Sequence, residues 1–143
     1  MASQSSRALL THTKRWVLVD AAHQPVGRLA AQLSMQLQGK TKPIYHPTTT
    51  MGDNIVVINA DKVQFSGKKW DDKLYRWHTG WPGGFRERTA RDMHARKPTE
   101  VLRKAVNGML PKNKLRRRMM DQLFLIEGDK HPYGMNVDEV LQP

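Results

Sequence analysis

Two stretches of this 143-residue chain concentrate side chains that could act on a polyanion. The first runs from Lys68-Lys69-Trp70 through Tyr75-Arg76-Trp77-His78-Thr79-Gly80-Trp81-Pro82-Gly83-Gly84-Phe85-Arg86-Glu87-Arg88 and interleaves cations with aromatic rings. Cations neutralise phosphates and flat rings stack on unpaired bases, so the mixture is what an RNA-binding loop requires. Gly80, Gly83 and Gly84 would let backbone N–H groups come close to a phosphate, since no Cβ stands in the way. The second stretch is residues 96–118, with nine basic side chains and one acidic, ending in Lys112, Lys114, Arg116, Arg117 and Arg118. Like charges on successive helical turns oppose one another unless counter-charged. A block this one-sided points to nucleic-acid contact rather than to a solvated helix face.

The same asymmetry marks the whole chain. Lys and Arg number 24 against 13 Asp and Glu, a net charge of +11 and a pI near 10.3. Residues 1–50 hold six basic and one acidic side chain, residues 51–95 eight and six, and residues 119–143 one and five. Such an excess repels itself in the free protein, and a polyanionic partner relieves it.

Other chemistries fare poorly. There is no Cys, which excludes disulfides, thiolate metal sites and thiol nucleophiles. Gly39-Lys40-Thr41 invites a phosphate-loop reading, but that motif needs a Gly where Ser34 stands, and a helical pattern precedes it where a strand is required. The six histidines (His12, His23, His46, His78, His94, His131) show no metal-ligand spacing. No Ser lies in a Gly-x-Ser-x-Gly elbow. Asp20, Asp53, Asn59 and Asp61 fall near predicted strand ends, where turn and cap residues are common. An enzyme that modifies RNA with a nucleotide or methyl donor bound near Asp20 and Asp61 is the alternative reading, and it lacks a glycine-rich loop. The expectation is no catalytic residue, no metal, no cofactor and no small-molecule substrate. No apolar run approaches the ~20 residues of a membrane helix, which predicts a soluble protein.

The elements that must carry these residues follow from hydrophobic period. Trp16 to Asp20 and Asn54 to Asn59 are short apolar runs of buried-strand type. Between them Val26, Leu29, Ala30, Leu33 and Leu37 make one helical stripe, opened near Pro25 and stopped at Gly39. Strand, helix and strand form a βαβ unit with two parallel strands. Val63 to Ser66 alternates and is expected to pair with a short strand near Leu74 to Trp77, leaving residues 80–84 as loop. Thr89 and Asp92 resemble a capping box opening a short helix to about Arg96. Pro98 then suits the first turn of a helix whose apolar face is Val101, Leu102, Ala105, Val106, Met109 and Leu110, with Arg103, Lys104 and Asn107 turned away. Leu115 to about Asp121 is a basic helical turn, and Leu123 to Ile126 a last strand. The expected organisation is a basic arm over 1–14, one α/β domain over 15–128 and an irregular acidic tail over 129–143.

These segments, taken in order, resemble the ribosomal protein uL13 family of the large ribosomal subunit. The matching motifs are Trp16 to Asp20, Gly27-Arg28-Leu29-Ala30, Gly39 to Tyr45, Gly52-Asp53, Val57 to Lys62 and Ser66-Gly67-Lys68-Lys69. They continue with His78-Thr79-Gly80, Pro82-Gly83-Gly84, Ala95-Arg96-Lys97-Pro98, Lys104-Ala105-Val106 and Gly108-Met109-Leu110-Pro111-Lys112-Asn113, so the resemblance covers about residues 15–133. It implies a three-layer α/β/α fold with a mainly parallel four-stranded sheet. It also implies a non-catalytic protein whose partners are large-subunit rRNA and neighbouring ribosomal proteins. By matching position, the resemblance implies rRNA contacts at Lys40, Lys42, Lys68, Lys69, His78, Lys112 and Lys114. Charge alone adds Arg76, Arg86, Arg88, Arg116, Arg117 and Arg118.

The chain departs from the family pattern in places. Thr48-Thr49-Thr50-Met51 replaces a stretch that usually carries a His and an Asp, and Arg116 stands where Gly is usual. Trp70 after the Lys pair resembles mitochondrial members, and residues 1–14 carry Ser, Arg7 and Lys14 but no acid. These features point to a mitochondrial ribosome, with a chloroplast or the bacterial cytoplasm as the alternatives.

Overall fold

The computed structural model describes residues 14–141. The basic arm expected over 1–14 lies outside the described residues except for Lys14. The elements are β1 (Trp16–Asp20), α1 (Val26–Gln38), β2 (Asn54–Ile58), α2 (Lys69–Asp72), β3 (Leu74–His78), β4 (Phe85–Thr89), α3 (Ala90–Arg96), α4 (Pro98–Met109), α5 (Leu115–Met120), β5 (Leu123–Leu125) and β6 (Glu139–Leu141). Strands β5, β2, β1 and β6 form one parallel four-stranded sheet in that spatial order, flanked by helices. This is the α/β architecture expected.

Alternation along the strands sets the core. Val17 and Val19 of β1 lie opposite Ile55 and Val57 of β2, and these four side chains share a buried cluster with Leu123 of β5. The stripe of α1 covers that face: Val26, Leu29, Ala30, Leu33 and Leu37 are all buried, as the 3.6-residue period requires. Val101, Leu102 and Val106 of α4 complete the cluster, and α4 packs against α1. The other face of the sheet carries Trp16, Leu18, Val56 and Phe124. There the Trp16 ring stacks on Phe124 and on Tyr133, each with centroids 5.3 Å apart, so the connection from β5 to β6 covers this side.

Gly39 ends α1 as a left-handed residue (φ 77°), with its N–H donating to the Gln36 carbonyl and the Lys40 N–H to the Met35 carbonyl. That is a glycine helix stop. Gly39-Lys40-Thr41 is therefore not a phosphate loop.

The structure corrects the expected order at three places. Val63 to Ser66 forms no strand; Gln64 bridges Pro25 instead, with the Val26 N–H donating to the Gln64 carbonyl at 3.0 Å. The strand expected near Leu74 to Trp77 is present as Leu74–His78, but its partner is Phe85–Thr89, antiparallel, rather than Val63 to Ser66, so the two ends of the aromatic stretch form a β-hairpin around the 80–84 loop. Its connection closes through the Thr79 N–H on the Gly84 carbonyl at 3.0 Å, helped by positive φ at Gly80 and Gly83. Both faces of the hairpin carry polar and exposed residues, which is why no period announced it. The tail over 129–143 is not wholly irregular: Glu139–Leu141 adds β6 to the free edge of β1, opposite Val17, Leu18 and Val19. Asp138 fastens that edge, its N–H donating to the Trp16 carbonyl and its carboxylate accepting from the Trp16 N–H, both at 2.9 Å. A three-residue edge strand is too short to show a period.

Candidate nucleic-acid interface

The basic block at 96–118 becomes an ordered surface because two helices hold it. In α4 the buried Val101, Leu102 and Val106 fix the helix on the core and leave Arg103 and Lys104 exposed. Pro98 in the first turn gives up no hydrogen bond, since that N–H has no intrahelical partner. Asn113 precedes α5, and its side-chain oxygen accepts from the Leu115 and Arg116 N–H groups at 3.0 and 3.2 Å. These bonds satisfy orphan donors of a helix start and set the direction in which Lys114, Arg116 and Arg117 leave the backbone. Met119 is the buried anchor of α5. Arg117 and Arg118 lie in its last turn, where a positive charge is favoured by the helix dipole.

Between α4 and α5 opens a cleft of about 640 Å³ lined by Arg103, Lys104, Lys114, Arg116 and Arg117, with Glu100 and Asp121 the carboxylates on its wall. Lys104 is partly compensated, its ammonium 3.7 Å from Glu100 one turn earlier. Lys112 and Arg118 are also exposed.

The hairpin supplies a second set. Register places Tyr75 opposite Arg88 and Trp77 opposite Arg86 on one face, with Arg76 opposite Glu87 and His78 opposite Phe85 on the other. The Arg76 Nε lies 3.3 Å from the Glu87 carboxylate, a solvent-exposed pair of little strength. The Arg88 guanidinium lies 5.3 Å above the centre of the Trp77 ring. Tyr75 is half-buried against the core, and burial first, then the Glu100 carboxylate, raise its phenol above the ordinary 10.0. The Nδ1 of His78 accepts from the Gly80 N–H at 2.9 Å, leaving Nε2 as the donor nitrogen of the neutral ring. Trp81 (76 % exposed) and Phe85 (56 %) stand out in solvent. Trp70 is a different case: it packs edge-on against Phe65 and His94 and belongs to a structural ring cluster.

Lys40, Lys68 and Lys69 have exposed side chains, with the Lys69 ammonium 3.3 Å from the Ser66 hydroxyl. Lys42 is turned inward onto Asp53, at 2.6 Å. Of the two carboxylates of the enzyme alternative, Asp20 is occupied locally, whereas the Oδ1 of Asp61 is buried without a hydrogen-bond partner. The Asp20 carboxylate accepts from the Ala22 N–H and from the Asn59 side-chain amide, each at 2.9 Å, and the Asp61 carbonyl pairs with the Nε2 of His94 at 2.8 Å. Asp20 thus closes a turn at the end of β1.

A parallel sheet with this order, carrying a hairpin and a helix pair that display cations, is a body with attached basic surfaces. The model of the ribosomal protein L13 family matches residues 14–132. The chain belongs to the ribosomal protein L13 family. It is 48% identical over 126 residues to the large ribosomal subunit protein uL13 of Rubrobacter xylanophilus, covering 88% of each chain. It is 49% identical over 128 residues to that of Clostridioides difficile, with 90% of each chain covered. The protein of the same name from Mesorhizobium japonicum is 50% identical over 129 residues, covering 90% of this chain and 84% of its own. As an L13 protein the chain is a structural constituent of the large ribosomal subunit and not an enzyme. The RNA-modifying alternative finds no support.

On this L13 protein the exposed basic surface includes four further cations, Arg96, Lys97, Arg103 and Lys104. They add to the charge of the block without standing among the residues expected to touch RNA. The α4 stripe already set Arg103 and Lys104 on the outer face. Among the described residues no three His, Asp or Glu side chains lie close enough to hold a metal ion, and no helix is long and apolar enough to cross a membrane.

Proposed function

We propose that this L13 protein binds folded large-subunit rRNA, neutralising phosphates with Lys112, Lys114, Arg116, Arg117 and Arg118 and gripping loops with the hairpin cations Arg76, Arg86 and Arg88. Lys40, Lys68, Lys69 and His78 extend this contact, while Lys42 serves it indirectly by fixing the loop that carries Lys40. The observation that carries the reading is the cationic cleft between α4 and α5, where five basic side chains face two carboxylates. In an isolated protein such a surface repels itself, and RNA phosphates are the partner that relieves it. Neighbouring large-subunit proteins complete the set of partners.

The ribosome in question is mitochondrial in this reading. Trp70 following the Lys68-Lys69 pair and the acid-free composition of residues 1–14 support it, while the relatives named above are bacterial. Sedimentation profiling tests both parts. The protein is expected to co-migrate with large subunits released from purified mitochondria. Co-migration only with cytoplasmic or plastid subunits would overturn the mitochondrial placement alone. Absence from every large-subunit fraction would overturn the rRNA reading as well.

A further inference from the structure

A second cleft, of about 550 Å³, lies where the hairpin meets the α3–α4 junction, and its lining is Trp77, Arg88, Met93, Arg96, Lys97, Glu100 and Lys104. These residues come from four elements and from both ends of a 28-residue span, so no single local pattern assembles them. Four of the side chains are cations and one is a carboxylate. Size, charge and an aromatic wall in one place fit a small anionic ring compound. Lys104 and Glu100 also line the α4–α5 cleft, so the two clefts are contiguous across the outer face of α4.

We propose that this cleft captures one unpaired nucleotide of the bound rRNA, its base stacked on the Trp77–Arg88 platform and its flanking phosphates held by Arg96, Lys97 and Lys104. The inference rests on the rRNA-binding reading and deepens it. Trp77 is 40% exposed in spite of sitting at the mouth of a cleft, and the Arg88 guanidinium over its ring is already held in place. An indole and a guanidinium each offer a flat face on which any base can lie, and such stacking tolerates every base identity. Arg96 and Lys97 enter the cleft from the end of α3, where helix geometry hands over to the extended Lys97 (φ −148°, ψ 94°) before Pro98. Lys104 of α4 lines the same cleft, so cations from α3, the junction and α4 share it. A duplex presents its bases edge-on and stacked, and only an extruded or loop nucleotide offers a free ring. An acidic peptide could meet the cations but would leave the Trp77–Arg88 platform without a flat partner.

Two measurements on the full chain and large-subunit rRNA test this. Ultraviolet cross-linking of the complex is expected to join the Trp77 or Lys97 peptide to one and the same nucleotide. Trp77→Leu is expected to weaken rRNA binding by roughly 5- to 150-fold, the range spanned by one base–aromatic stack, with the salt slope unchanged. Trp77→Phe keeps a ring and is expected to recover most of that loss. Wild-type protein that binds rRNA while Trp77→Leu binds as tightly would overturn this inference and leave the proposed function standing. A Trp77→Phe variant no better than Trp77→Leu would also overturn it, as would cross-links from the Trp77 and Lys97 peptides to nucleotides far apart in the rRNA. Wild-type protein that fails to bind rRNA would overturn the proposed function, and this inference with it.

Discussion

The ammonium of Lys42 lies 2.6 Å from a carboxylate oxygen of Asp53, with only 13% and 12% of the two side chains exposed. The same oxygen accepts from the Arg15 N–H at 2.9 Å, so one carboxylate joins the loop after α1, the start of β2 and the residue before β1. Removing Lys42 leaves a covered charge without its main partner. Surface pairs contribute up to about 1 kcal/mol, whereas breaking a buried pair costs about 3–5 kcal/mol. Lys42→Ala is expected near the lower end of the buried range, about 3 kcal/mol, read from urea unfolding midpoints. The folded variant should keep the salt slope of wild-type rRNA binding, and a shallower slope would make Lys42 a direct phosphate ligand.

Gly52 passes so close to α1 that a Cβ there would collide with the backbone carbonyl of Leu37. A methyl at Gly39 would meet the Met51 backbone at 2.8 Å and would also sit at a positive φ of 77°. The chain entering β2 therefore crosses the end of α1 at backbone contact distance. Gly52→Ala must push two backbones apart, and is expected to cost about 3 kcal/mol, seen as a large fall in thermal midpoint. A variant as stable as wild type would mean that the crossing can open without cost.

The cations of α5 make a prediction about salt. Replacing Arg116, Arg117 and Arg118 together with Ala is expected to flatten the plot of log affinity against log salt by roughly 0.7–0.9 units for each phosphate no longer neutralised. Filter binding of rRNA fragments at several salt concentrations measures it. An unchanged slope would show that the α5 arginines do not touch phosphate.

Asp20 gives a pH dependence. The Ala22 N–H first, then the Asn59 amide, hold its carboxyl below the ordinary 3.8 despite some burial. A carboxyl with a depressed folded value adds stability above its unfolded value and loses it as pH falls through the folded one. Asp20→Asn keeps the acceptor and removes the charge. The stability gap between wild type and variant should be full at about pH 5–6 and should narrow as the pH drops below 3.8. Urea midpoints across that range check it, and a gap constant with pH would mean the charge contributes nothing.

Much of the body was legible from residue order because its elements bury one face locally. The stripe Val26, Leu29, Ala30, Leu33 and Leu37 announced α1, and Gly39 its end, since a 3.6-residue period and a left-handed stop need no distant partner. Thr89 was readable as a cap for the same reason, and its hydroxyl accepts from the Asp92 N–H at 3.2 Å. The hairpin pairing of Leu74–His78 with Phe85–Thr89 was not readable, because exposed side chains on both faces erase the two-residue alternation.

Charge composition was enough to expect a polyanionic partner, because net charge is a sum that folding does not change. Folding alone settled which cations face which partner. It turned Lys42 inward onto Asp53, eleven residues away, while leaving Lys40 outside. It also brought Trp77 and Arg88 of the hairpin up to Arg96, Lys97 and Lys104 at the α3–α4 junction. Local periodicity reports which side of an element is buried. The meeting of side chains from different elements depends on how those elements pack against the shared core, and that information lies in contacts between residues far apart in the chain.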